Sequence, residues 1–182
     1  QISMSFGSCC DLLAWFARTS RNKRATKRKS DAMSNLRTIR FVLGDQLSRS
    51  VSSLSDADPD QDLIVMAEPK CEATYAPHHR QKIVLILSAM RHFAKALRDD
   101  GFQVDYFDYE TRPTDIFSVA LKTAMADHDI SRVIITEPGE WRVHHEIKTW
   151  EKDLGASVSV RPDDRFFAPV SAFADFAKDR KE

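Results

Sequence analysis

The chain has 182 residues, 42% of them hydrophobic and 30% charged, which suits one globular domain with some flanking sequence. Its formal net charge is zero, yet residues 1–37 carry Arg18, Arg21, Lys23, Arg24, Lys27, Arg28, Lys29 and Arg37 against Asp11 and Asp31, leaving 19 basic and 25 acidic groups in the remainder. An acidic body does not attract a polyanion, and no apolar run approaches the roughly 18 residues that cross a bilayer; neither DNA binding by this domain alone nor a membrane role is expected. The three cysteines, Cys9, Cys10 and Cys71, form no CxxC pair and no disulfide framework, so a soluble, monomeric, cytoplasmic protein is expected.

Residues 1–37 read as a basic leader. The apolar run CCDLLAWFA is followed, not preceded, by its basic residues, the reverse of a signal peptide. RTSRNKRATKRK has the composition of a disordered segment. It is either a nuclear-localisation or nucleic-acid tail, or sequence upstream of an authentic start at Met33; the second reading is favoured.

From Thr38 a regular alternation begins. TIRFVL (38–43) predicts a buried strand ending at Gly44-Asp45, and DLIVMA (62–67) a second. A polar loop follows, and then an amphipathic helix from His79 to Asp100, with Ile83, Ile86, Leu87, Met90, Phe93, Ala94 and Leu97 on one face and Gly101 closing it. FQVDYFD (102–108) predicts the third strand, Thr114 the cap of a helix running to about Asp127, and RVIITE (132–137) the fourth strand. A helix over Glu140–Leu154 ended by Gly155, a fifth strand ASVSVR (156–161) and a last helix from Ser171 complete the chain. Strands alternating with helices predict an α/β fold: a doubly wound, five-stranded parallel sheet over residues 38–161, with helices on both faces and a Rossmann-like arrangement. No GxGxxG follows the first strand and no P-loop occurs, so neither a dinucleotide nor a nucleoside triphosphate site of the usual kind is indicated.

Ligands of open parallel sheets bind beyond the carboxyl ends of the strands, where the strand order reverses. With strand one central, strands two and three to one side and four and five to the other, Asp45, Gln46, Glu137 and Trp141 face one crevice. The acids and amide can bond the ring N–H groups and hydroxyls of a heterocycle, and Trp141 can stack on it. Equally, the acids can cap helices and pair with Arg or Lys. Glu68–Ala94 packs Glu, Tyr, two His and a Lys around one loop and helix start. Lys82 sits poorly with the dipole of that helix, which points to an anionic partner. Cys71, near Tyr75 and His78, is either a nucleophile beside a base or a packed small residue. The pairs His78-His79 and His144-His145 suit solvated helix and loop positions better than a metal, because adjacent helical side chains diverge.

The ordered motifs GDQLS, EATY with HH and Lys82-Ile83, SAMRHFA, GFQVDY, TEPGEWR and DDRFF resemble the photolyase-related proteins, a family that includes iron–sulfur bacterial cryptochromes and prokaryotic (6-4) photolyases. The resemblance covers residues 38–180. It implies an amino-terminal antenna domain holding 6,7-dimethyl-8-ribityllumazine or a similar chromophore. Residues 162–182 would then be a linker and helix leading toward a missing helical domain with FAD and a 4Fe-4S cluster. On that resemblance DNA is met only through the missing domain. The resemblance further implies that the present chain is non-catalytic, cut from a lyase of the deoxyribodipyrimidine photolyase type or a blue-light sensor. Carried over by position, Gly44, Asp45, Gln46, Glu68, Glu72, Tyr75 and Lys82 would line the antenna pocket, with Glu137, Glu140 and Trp141 as further candidates. Pro69, Lys70, Cys71 and Pro77 depart from the family's usual pattern in the pocket loop. An alternative is a small metal-dependent α/β nucleotide-binding or hydrolytic enzyme, with Asp45, Glu68 and Glu137 around Mg²⁺. A third reading, compatible with the first, is purely structural: an orphaned domain that folds poorly, its exposed interface with the missing half made sticky by Phe166, Phe167, Phe173 and Phe176.

Overall fold

A computed structural model describes residues 36–178 and Arg180. The expectations for the leader fall outside these residues, except that Leu36 is buried in the core and the Arg37 N–H donates to Gln61 O, so the folded body takes in both. Five strands, β1 (Thr38–Phe41), β2 (Asp62–Ala67), β3 (Gln103–Phe107), β4 (Arg132–Thr136) and β5 (Ser157–Arg161), form one sheet in the order β3-β2-β1-β4-β5. Every pairing is parallel; Phe41 lies opposite Val65 on one side and Ile135 on the other. β2 is buried throughout, as a central strand covered on both faces must be.

The helices are α1 (Lys70–Thr74), α2 (Arg80–Asp99), α3 (Phe117–Ala126), α4 (Trp141–Leu154) and α5 (Val170–Ala177). Alternate β1 residues Ile39 and Phe41 point to the face covered by α3 and α4, where Phe117 and Trp150 each meet the Phe41 ring edge-on at 5.6 Å. The opposite face packs Ile64 and Met66 against Met90, Ala94 and Leu97 of α2. There Arg40, buried at the sheet's centre, gives its guanidinium to Asp62 Oδ2 (2.9 Å), Asp56 Oδ1 (2.5 Å) and Ser53 O (3.0 Å), and Arg161 also grips Asp56. Two cations and two carboxylates thus bind the 47–61 connection onto the sheet.

Helix ends follow local chemistry in α2 and α4. His79 caps α2, its Nδ1 accepting the Gln81 N–H at 3.2 Å. Gly155 ends α4 at φ 66°, the left-handed conformation that glycine adopts without Cβ strain. Thr114 does not cap α3. The helix begins at Phe117 with no side-chain cap from its own N-terminal residue, and Glu146 of α4 instead accepts the Ser118 N–H at 3.2 Å. The carbonyls of Thr114 and Asp115 accept the Lys70 and Cys71 N–H groups, which holds 114–115 outside the helix and gives α1 the partners for its first turn. The expected polar loop at 70–74 is therefore helical.

Candidate functional site

The sheet's carboxyl edge opens into a cleft of about 630 Å³. Its lower wall is apolar, built from Leu43 and Ala67 at the strand ends, Ile83, Ile86, Leu87 and Met90 on α2, and Val143 on α4. Gly44 belongs to this floor: a Cβ there would meet Met90 Sδ at 3.0 Å and Ile86 Cγ2 at 3.6 Å, so the bare backbone keeps the strand end close to α2. Polar groups ring the mouth.

Of the residues singled out in the sequence, Gly44, Asp45, Glu68, Glu72, Tyr75, Lys82 and Glu140 all line the cleft. The other three sit elsewhere. Gln46 is fully buried and donates from Nε2 to the carbonyls of Thr136 and Glu137, both at 3.2 Å, riveting the loop after β1 to the end of β4. The Glu137 N–H continues the β4–β5 ladder to Arg161 O. Trp141 is 73% exposed, stacked on His144 with Lys148 at 5.4 Å from the ring centre, so it faces outward rather than into the crevice.

The lining carboxylates differ sharply in what they are free to do. Glu68, 2% exposed, accepts Arg91 Nε and Nη2, each at 2.8 Å, the Tyr106 hydroxyl, and the Tyr109 N–H at 2.9 Å. Burial acts to raise its pKa, but the donors from Arg91, Tyr106 and Tyr109 outweigh it and hold the group below the ordinary carboxylate value. Its oxygens are committed to the fold. Glu72 and Glu140 share the Arg142 guanidinium, which also lies 3.6 Å over the Tyr75 ring, closing α1 against the start of α4. Asp45 is approached by Arg165, which bonds its carbonyl and, at 3.5 Å, its carboxylate. Lys82 is exposed at the mouth and has no ion-pair partner among the described residues.

Cys71 has no thiolate character: burial first, then the nearby Glu72 and Glu146 charges, push its pKa up to about 11. Among the described residues no three His, Cys, Asp or Glu side chains gather to hold a metal ion, and the carboxylates of Asp45 and Glu68 meet different arginines, Arg165 and Arg91.

Tyr109, Arg91 and Tyr106 were not anticipated. Tyr109 stands just beyond the carboxyl end of β3, and the rule that singled out the ends of β1, β2 and β4 applies to it equally. The partners of Glu68 come from α2 and β3, far apart in sequence, and no local pattern announces them.

A parallel α/β domain with an apolar, ligand-sized cleft at the carboxyl edge of its sheet is the class that fold and site define. The deoxyribodipyrimidine photo-lyase-related protein family matches residues 40–182. A (6-4) photolyase from Agrobacterium fabrum is 43% identical over 146 residues, covering 78% of this chain and 28% of that protein. The chain belongs to the photolyase-related family. It spans little more than a quarter of the length of that relative, 28%.

Proposed function

We propose that this domain binds an antenna chromophore, 6,7-dimethyl-8-ribityllumazine or a similar flat heterocycle with a polyol tail, for a photolyase-related protein that repairs DNA photolesions or senses blue light. The observation that carries the reading is the cleft itself. About 630 Å³ falls within the roughly 300–1,000 Å³ of small-molecule sites, and an apolar floor under a polar rim suits a ring system with a hydroxylated tail. Gly44, Ile86 and Met90 would bear on the ring, while Lys82, Glu72 and Asp45 stand where a polyol would emerge. An antenna needs a fixed orientation rather than acid–base chemistry, and the walls of the cleft are carried by strand ends and helices of the sheet's carboxyl edge. FAD, a 4Fe-4S cluster and DNA contacts belong, on this reading, to sequence beyond the domain.

The test is an absorption and fluorescence titration of the full chain with 6,7-dimethyl-8-ribityllumazine. A saturable spectral change is expected. In Gly44→Val, whose branched side chain enters the floor toward Met90, affinity should drop about tenfold or more. A folded chain that gives no saturable change would sink the antenna reading.

A further inference from the structure

We propose that Tyr109 is the surface on which the planar part of the ligand stacks, and that Glu68 and Asp108 are positioning residues that hold it in the cleft wall. The proposal deepens the antenna reading and rests on it.

Three Phe and Tyr side chains line the cleft, and two are already engaged. Phe117 is buried with its ring against Phe41. Tyr75 has one face covered by Arg142 and its ring against His78 at 4.9 Å. Tyr109 is half-buried, and its phenol makes no ring, cation or hydrogen-bond contact among the described residues.

The backbone beneath it is heavily committed. The Tyr109 N–H goes to Glu68 Oε2 at 2.9 Å, and the next two, of Glu110 and Thr111, go to Asp108 Oδ1 at 2.9 and 2.6 Å. The Thr111 hydroxyl also donates to Asp108. Phe107, just before the turn, is buried under the Arg112 guanidinium at 4.1 Å, and Arg112 is paired with Asp105. Three consecutive amide donors and a bracing cation therefore fix the Tyr109 Cα, leaving freedom chiefly about its two side-chain torsions.

A free aromatic face on a fixed backbone costs little entropy to engage, which is what a stacking surface requires. Aromatic pairs prefer offset or edge-to-face geometry, and the phenol hydroxyl remains available to bond a heteroatom at the ligand's edge. Glu68, which accepts the Tyr109 N–H at 2.9 Å, acts through Tyr109 rather than on the ligand.

The experiment is the lumazine titration of the full chain, read by affinity, by induced circular dichroism of the bound chromophore and by its limiting fluorescence anisotropy. Tyr109→Leu should weaken binding about tenfold and change the induced dichroism, with the melting temperature near that of wild type. Tyr109→Phe should stay within about threefold of wild type. Asp108→Ala leaves the phenol in place but frees the turn, so it should lower the limiting anisotropy; Asp108→Asn, which still accepts the amides, should restore it. If wild type binds saturably and Tyr109→Leu binds as well with an unchanged dichroism, the stacking assignment is wrong and the antenna reading survives. If Asp108→Ala leaves anisotropy unchanged, its positioning role is wrong. If folded wild type does not bind, both readings fall together.

Discussion

The Glu68 carboxylate meets donors from three parts of the chain, Arg91 on α2, Tyr106 on β3 and Tyr109 beyond it, and so ties a helix and a turn to the end of the second strand. Removing it leaves a half-buried phenol and an amide without their acceptor. Glu68→Ala should cost about 2–4 kcal/mol in chemical denaturation, and Glu68→Gln less, because an amide oxygen still accepts. The pH dependence has a definite sign. A carboxylate held below its unfolded value, ordinarily about 4.3, contributes stability that is full above that value and is lost as pH falls through the folded pKa. Acid unfolding of wild type should therefore be steeper below about pH 4 than that of Glu68→Gln; parallel curves would show that the carboxylate is not held down by its partners.

At the scale of elements, α3 and α4 are joined by a cap that one helix supplies to the other. Glu146 accepts the Ser118 N–H and, at 3.4 Å, the Trp150 indole N–H, and burial raises its pKa despite those bonds. A carboxyl favoured in its protonated form loses its advantage as pH rises through its folded pKa, so near neutrality the charge is a liability. Glu146→Gln keeps an acceptor for both donors and removes that charge beside Glu72. Its melting temperature at pH 7 should rise by roughly a few degrees, with the gain vanishing near pH 4; a lower melting temperature would show that the charge strengthens the cap. The same junction marks the boundary of what sequence discloses. Strands and long helices were legible because β2 is an unbroken apolar run and α2 repeats its apolar residues at helical spacing. Thr114 misled, because a residue suited to capping is recruited to cap only if its backbone is free, and its carbonyl is taken by Lys70. Gly44, Asp45 and Glu68 were legible as cleft residues because strand ends define that edge, whatever the side chains do there, and Lys82 because a cation in the first turn of a helix opposes its dipole. Gln46 and Trp141 share the edge but turn into the interior and out to solvent, a choice made by the packing of β4 and α4 rather than by spacing.

For the molecule as a whole, the described surface carries Phe166, Phe167, Phe173 and Phe176, all exposed, on and just before α5. The formal net charge of the chain is zero, so little repulsion opposes contact between copies. Phe173→Ser/Phe176→Ser should lower concentration-dependent light scattering while leaving the melting temperature unchanged; equal scattering would place the adhesive surface elsewhere. No helix among the described residues is long and apolar enough to cross a membrane. The strand order carries a further consequence, for the order of events during folding. The first strand made is the central one, and its second neighbour arrives late: Gln46 and Thr136, which rivet the two together, lie 90 residues apart. Closing so long a loop is entropically costly and tends to slow folding. As the chain emerges from the ribosome, β1 can pair with β2 promptly but must wait, with one edge bare, until β4 has been synthesised. Trp150 reaches the Phe41 ring only after that, so burial of its indole would time the closing of the sheet.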